Sequence, residues 1–422
     1  MTRSPNLSKL VILDPALIAA GGHHAGFALM AAKSHKRSGA PFDLEFVCND
    51  AIDGTLKAQL EACGSNVRPE YRLNFYQGFG ESKRVSDVQS YIRQAAREYA
   101  LAIKQTTKRF PGQELVFFHP SLSWEHAFSL SLALDLTKGD EGAALQLVCA
   151  MFNPGLSFDG RTLDCLTSLN FRIGFGALQQ FSNVQLYASD FEQAEKYARL
   201  LNLPQSLRLH PCYLADWENL EKLNAVSERK STDSSPGTVI LYMGDAKRDK
   251  GFLDLPKLLT WLLENVADDR QFYIQFSIPW PDSELEKVAE KLTAIAALHW
   301  NVELEYRFLN ESELHERLSV ASMFVFNYCP ETYRDKSSGF LWIVASYGLA
   351  ICCIDGSWIS REAARLGGKV LDCRGSKATF LGCVNKWRPG GPVRSLGNNM
   401  YRKNIYRGFW SWLQNVSKGS TI

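Results

Sequence analysis

The chain has 422 residues, 45% of them hydrophobic and 22% charged, with a formal net charge of +2. That length exceeds one ordinary core and points to two domains of roughly 200 residues each, and the composition excludes a disordered chain. The near-neutral charge excludes a strongly basic nucleic-acid binder, so no nucleic-acid partner is expected.

From the N-terminus, MTRSPNLSK is polar and lacks the apolar core of a signal peptide. Apolar β-runs then alternate with turns and helical patterns. Strands are expected at Lys9–Asp14, Asp43–Cys48, Glu114–His119, Leu145–Met151 and Val184–Ala188. The clearest helix runs from about Val85 to Ile103. Val85, Val88, Ile92, Ala96, Tyr99 and Ile103 recur at helical steps, while Arg93, Arg97 and Lys104 make another face basic. Residues 218–237 include SERKSTDSSPG, which has no apolar period and reads as a linker.

The pattern restarts with strands at Thr238–Gly244, Gln271–Ser277, Asn301–Tyr306, Met323–Tyr328, Ala350–Asp355 and Lys369–Leu371. Helices fit Phe252–Val266, Asp282–Leu298, Ser312–Val320, Gly339–Tyr347, Ser360–Leu366 and Tyr401–Val416, and Asn310 with Glu313 makes a capping box. The expected organisation is residues 1–215, a linker at 216–237, a second domain at 238–400 and a terminal helix at 401–422. The alternation predicts α/β architecture with two Rossmann-like, doubly wound domains facing across a cleft.

Ten cysteines are present with no C-x-x-C pair, and most lie in apolar runs such as that around Cys149 and Cys352–Cys353. They read as reduced, buried thiols of a cytoplasmic protein. No Cys/His set has metal-ligand spacing, no D-x-D stands in a suitable loop, and GFGES (78–82) and RIGFGA (172–177) are not dinucleotide fingerprints. Neither a metal nor a cofactor is assigned. No apolar window is long enough to span a membrane. Peripheral contact with an anionic membrane is one expectation for the basic helix and for Arg402–Trp412. The other places Trp410, Trp412 and Leu413 against the first domain.

Four places carry chemistry. Gly244-Asp-Ala-Lys247-Arg248-Asp-Lys250-Gly251 follows a strand and opens a helix. Cations there balance charge on a leaving diphosphate, and the helix start adds amide donors. The segment after the Met323–Tyr328 strand holds Glu331, Tyr333, Arg334 and Lys336 before Ser337-Ser338-Gly339, where a serine can cap the next helix. Near the N-terminus, Gly21-Gly22-His23-His24 lets backbone approach a ligand. One of these imidazoles suits acceptor binding or a base role. His119 ends a strand, where α/β enzymes place reacting groups, and His126 is a weaker candidate.

The first two of these places together resemble the C-terminal domain of GT-B glycosyltransferases, in particular the large retaining nucleotide-sugar family. Gly244 to Lys250-Gly251 is similar to its G-x5-K-G donor loop. Ser337-Ser338-Gly339 through Ala345-Ser-Tyr-Gly348-Leu-Ala-Ile351 is similar to its second donor segment. The family's arginine position is Asp245 here. The carboxylates of its E-x7-E motif fall on Lys336 and Val344, which leaves Glu331 as a substitute at a different spacing. The resemblance implies a nucleotide-sugar donor, held by Gly244, Lys247, Arg248, Lys250, Gly251, Tyr333, Lys336, Ser337, Ser338 and Gly339. It implies a glycan or lipid-linked acceptor near Gly21, Gly22 and His23, and catalytic duties among His119, His24 and Glu331. An epimerase acting on a nucleotide sugar and a non-catalytic relative are the alternatives.

Overall fold

The computed structural model describes residues 7–73, 75, 85–137, 144–211, 238–266, 270–367, 370–372 and 400–417. The expected linker and the GFGES segment lie outside them. The chain divides into two compact units, one of Met1–Glu218 with Asn404–Ile422 and one of Asn219–Lys403.

In the first unit the elements run β1 (Lys9–Asp14), α1 (Gly22–Ser38), β2 (Asp43–Asn49), α2 (Gly54–Ala62), β3 (Asn66–Tyr71), α3 (Val85–Arg109), β4 (Leu115–His119), α4 (Trp124–Thr137), β5 (Leu145–Ala150), α5 (Cys165–Leu178), β6 (Val184–Ala188), α6 (Phe191–Leu200) and β7 (Arg208–Leu209). The sheet order is β3-β2-β1-β4-β5-β6-β7, and every pair is parallel. A parallel sheet covered on both faces needs strands apolar on both sides. β1 satisfies this, with Leu10, Val11, Ile12 and Leu13 all buried. Leu10 and Ile12 pack among α1 and α2, whereas Val11 and Leu13 pack among α3, α4 and α5. The RIGFGA stretch lies within α5, where Gly174 lets the helix pass against the backbone of Trp124.

The amino end of this sheet carries a buried ion network. Lys9 pairs with Glu45 at 3.1 Å and stands 3.6 Å above the Phe110 ring, and Arg109 joins Glu45 to Glu70. Both Lys9 and Glu45 are inaccessible, so each charge requires the other.

The second unit contains β8 (Thr238–Tyr242), α7 (Leu255–Asn265), β9 (Phe272–Phe276), α8 (Ser283–Leu298), β10 (Val302–Tyr306), α9 (Glu311–Val320), β11 (Ala321–Phe326), α10 (Pro330–Tyr333), α11 (Gly339–Ser346), β12 (Ala350–Cys353), α12 (Trp358–Arg365) and β13 (Val370–Asp372). The order is β10-β9-β8-β11-β12-β13, again parallel throughout. Asn310 and Glu313 form the capping box at the start of α9. On the opposite side of the sheet from α7 and α8, Trp342 of α11 donates to the buried carboxylate of Glu362 on α12, which also accepts from Tyr401.

The terminal pattern is two helices, α13 (Met400–Ile405) and α14 (Phe409–Ser417), separated at Gly408. Phe409, Trp410, Trp412 and Leu413 of α14 are buried in the core that surrounds α1. Phe409 packs edge-on against Phe27 and Phe118, and Trp412 against Tyr187. These aromatic side chains are therefore occupied by the first unit's core and are not a membrane-facing surface. Among the described residues, no helix is long and apolar enough to cross a membrane.

Candidate functional site

In the second unit the strand order reverses between β8 and β11, the place where doubly wound sheets open a crevice at their carboxyl ends. The two loops bordering it are 243–251 and 327–338. The first is built by side chains of neighbouring strands. Gln275 accepts from the Gly244 amide at 2.9 Å, and Ser277 donates to the Asp245 carboxylate at 3.0 Å. The Tyr242 hydroxyl donates to the Asp245 carbonyl at 2.6 Å and accepts from the Lys247 amide at 3.0 Å.

Arg248–Lys250 forms one 3-10 turn that ends at Gly251, whose φ is 73°. A Cβ on Gly251 would collide with the Asn327 carbonyl, so glycine is required there by both backbone angle and space. The two loops are tied at two further points. The Cys329 amide donates to the Asp249 carbonyl at 2.8 Å, and the Asn327 side chain donates to the Gly251 carbonyl at 3.4 Å.

Lys250 occupies the junction. Its ammonium lies 5.9 Å from the centre of the Tyr328 ring. It makes no ion pair or hydrogen bond among the described residues. Burial, followed by the charge of Lys247, lowers its pKa below the usual lysine range; Asp245 and Asp249 oppose this, and Lys336 adds to it. Tyr328 is buried, which pushes its phenol pKa up, and the neighbouring Ser338 side chain opposes this. Tyr333 packs on Tyr328 at 4.5 Å between ring centres. Lys336 stands 5.1 Å above Tyr333 and pairs with Asp249 at 2.7 Å. A half-buried ammonium without a counter-ion, flanked by two further lysines, favours an anionic ligand.

Several expected residues stand elsewhere or act differently. Arg248 is held by Asp282 at 2.8 Å and by Glu284 at 2.8 Å, at the start of α8, so its charge is already balanced by two carboxylates. Ser338 occupies the cap position of α11 but makes no side-chain cap to the helix. Ser337 and Gly339 flank it, both partly exposed. Glu331 is exposed on α10 and accepts from the Cys329 thiol at 3.1 Å, which lowers its carboxyl pKa; no hydrogen bond or ion pair joins it to Lys250. Lys247 is exposed beside Lys250.

In the first unit the order reverses between β1 and β4, which end in Asp14 and His119. Gly21 is the extended cap of α1, Gly22 has φ 87°, and a Cβ on either would meet open space. His23 is exposed and its ring lies 4.1 Å from that of His24. His24 is 8% exposed, and its Nδ1 lies 2.8 Å from the Asp14 carboxylate. His119 has no accessible surface. Its Nε2 meets the Gln146 amide oxygen at 3.0 Å, and burial pulls its pKa down to about 4. It is a neutral, fully buried core residue whose ring lies against Tyr99 of α3. His126 is equally buried, with pKa lowered to about 3 by burial. Its two nitrogens meet the hydroxyls of Tyr91 at 2.6 Å and Tyr99 at 3.0 Å, and Phe75 stacks on its ring.

Asp14 and Tyr91 were not singled out from sequence, and neither was Tyr99 beyond its place on the apolar face of α3. The last two are eight residues apart on α3, a spacing that returns to the same helix face and was the available signal.

No protein-family model matches the chain, and no curated protein sequence matches it. Solved structures do. The N-terminal domain of Candida albicans trehalose-6-phosphate phosphatase is similar with a TM-score of 0.60 and 10% identity, over 98% of each chain. Sucrose-phosphate synthase from Thermosynechococcus elongatus gives 0.56 and 13% identity over 96% of each chain. HepE of Anabaena, solved in complex with UDP, gives 0.53 and 9% identity over 97% of this chain and 95% of that one. The chain thus has the fold of these proteins along nearly its whole length, the GT-B arrangement of two doubly wound α/β domains in one polypeptide.

Proposed function

We propose that this protein is a glycosyltransferase that moves a sugar from a nucleotide-sugar donor to an acceptor hydroxyl. The observation that carries the reading is Lys250, an ammonium without a counter-ion among the described residues, at the switch point of the second unit's sheet in a junction of two loops. Lys250 with Lys247 and Lys336 would hold the donor diphosphate, and the backbone of Ser337, Ser338 and Gly339 would add amide donors at the start of α11. Charge growing on the leaving diphosphate is then balanced by fixed cations. Tyr328 and Tyr333 give these cations an apolar floor. Residues 308–313, after β10, would border the base, and Phe308 is an exposed aromatic there.

On the first unit, Gly21, Gly22, His23 and His24 would receive a glycan or lipid-linked acceptor. The UDP in the HepE complex makes UDP the first nucleotide to try.

The test is a thermal-shift panel of nucleoside diphosphates on the whole chain, because a ligand selective for the native state raises the melting temperature. At least one should stabilise the wild-type protein and fail to stabilise Lys250→Ala. A donor carrying that nucleotide should then release it when acceptor is added. Sugar conversion without acceptor would assign an epimerase instead, and a chain that binds no nucleotide sinks the donor reading.

A further inference from the structure

We infer that Asp249 is a specificity-determining residue of the anion site: its carboxylate reserves Lys336 and makes the site favour a sugar-bearing nucleoside diphosphate over the more highly charged free diphosphate. This rests on the donor reading of that site and adds a residue which that reading does not use.

Asp249 lies in the turn between Arg248 and Lys250. Its carbonyl accepts from the Cys329 amide at 2.8 Å, and its carboxylate pairs with Lys336 at 2.7 Å. One residue of the first loop therefore holds the second loop twice, once by backbone and once by charge. The backbone bond fixes the junction whatever is bound there. The ion pair is open to water, with the lysine 53% and the aspartate 29% exposed, so it is weak and a phosphate oxygen can take the lysine from it. The charge of Asp249 also acts on Lys250, Tyr328 and Tyr333, so it faces the junction as a whole and not Lys336 alone. The other charges there are Lys247 and Asp245, the second of which accepts from the Ser277 hydroxyl. Arg248 is balanced by Asp282 and Glu284.

A nucleoside diphosphate that carries a sugar has about two negative charges, and the free diphosphate has about three at neutral pH, because its terminal phosphate has a second ionisation near pH 6. Transfer converts the first into the second. The bond from the anomeric carbon to the diphosphate oxygen breaks, its electron pair stays on that oxygen, and the acceptor oxygen bonds the carbon and gives its proton to water. The repulsion between a fixed carboxylate and a ligand grows in proportion to the ligand's charge. Asp249 therefore opposes the free diphosphate more than the donor, and Lys336 has a partner to return to when the product leaves.

Titration calorimetry at low salt on the full chain, with UDP and with UDP-glucose, tests this. Asp249→Asn should tighten both ligands, UDP-glucose by about threefold to tenfold and UDP by about fivefold to thirtyfold, and the gains should shrink as salt is raised. Lys336→Met should weaken both. A latch that only joined the loops would make the two substitutions act alike, since either one breaks the pair. Weaker binding in Asp249→Asn, or an equal gain for the two ligands, overturns the proposal. Inorganic pyrophosphate and orthophosphate separate it from the donor reading. If the wild-type chain binds pyrophosphate but not UDP, the donor reading falls, and gains in Asp249→Asn that grow with anion charge still support the assignment of Asp249. A chain that binds neither UDP nor pyrophosphate overturns both.

Discussion

Lys250 and Tyr328 face each other where two loops are joined: the ammonium lies 5.9 Å from the centre of the ring, beside the bond from the Cys329 amide to the Asp249 carbonyl. Two loops far apart in sequence are thereby fixed against each other on the carboxyl side of β8 and β11. The relationship separates residues that should hold a ligand from residues that hold the loop.

Lys250→Ala should weaken nucleoside diphosphate binding by about one to two orders of magnitude, since a hydrogen bond to a charged group contributes about 1.5–3 kcal/mol. The unliganded variant should melt at the same temperature as wild type or slightly higher, because a desolvated cation has been removed. The sign follows from the lowered pKa: the folded state disfavours the charged lysine relative to the unfolded chain, so stability rises as pH passes upward through the folded value. Titration calorimetry with UDP, alongside melting curves, checks both halves.

Arg248→Ala should behave differently although it stands two residues away. Its charge is spent on Asp282 and Glu284 at an exposed site. Exposed pairs contribute about 0–1 kcal/mol, so a small fall in melting temperature and UDP affinity within about threefold of wild type are expected. A loss as large as that of Lys250→Ala would return Arg248 to the ligand.

Gly251→Ala and Gly21→Ala form a matched pair. Gly251 has φ 73° and its Cα faces the Asn327 carbonyl, whereas Gly21 has φ −116° and open space. The left-handed angle alone costs about 1–2 kcal/mol for a residue with a Cβ, and the collision adds to it. Gly251→Ala should lower the melting temperature by several degrees and abolish UDP binding, and Gly21→Ala should leave the melting temperature near that of wild type. Equal melting curves would contradict the close approach of the two loops.

Acid should destabilise the first unit through its sealed histidines. His119 and His126 have pKa values lowered by burial, to about 4 and about 3. Their neutral forms favour the fold fully above the unfolded value of about 6.5, and that contribution is lost as pH falls through this range towards the folded values. Denaturant midpoints measured from pH 7 to pH 4 should decline, and His119→Gln should flatten the decline without changing UDP affinity. A change in affinity would reopen His119 as a ligand contact.

The alternation of apolar runs and turn residues made the doubly wound strands legible, because strands buried on both faces read as dense runs such as LVIL and TVILY. β3 escaped notice for the opposite reason. It is an edge strand, NVRPEY, with a proline and several partly exposed positions, and so lacks that density. The terminal helix was read as one because its aromatic residues continue the helical period across Gly408. At the site, the loop between Gly244 and Gly251 was recognisable from its glycines and lysines. What Arg248 does was not, since Asp282 and Glu284 reach it from a different helix. His119 looked like a reacting group because strand ends face ligands, but a sequence does not say whether a strand-end side chain points past the sheet or into a covered face.

The placement of α14 has a consequence for biosynthesis. Phe409, Trp410, Trp412 and Leu413 complete a core whose other members, from Leu10 to Tyr187, precede them in the chain. The first unit's strands therefore leave the ribosome with that apolar face uncovered, and it stays so until the second unit, which lies between them and α14 in the chain, has been made. Nascent chains should engage holding chaperones along α1 until α14 emerges, and completion of the first unit's strands should not by itself release them.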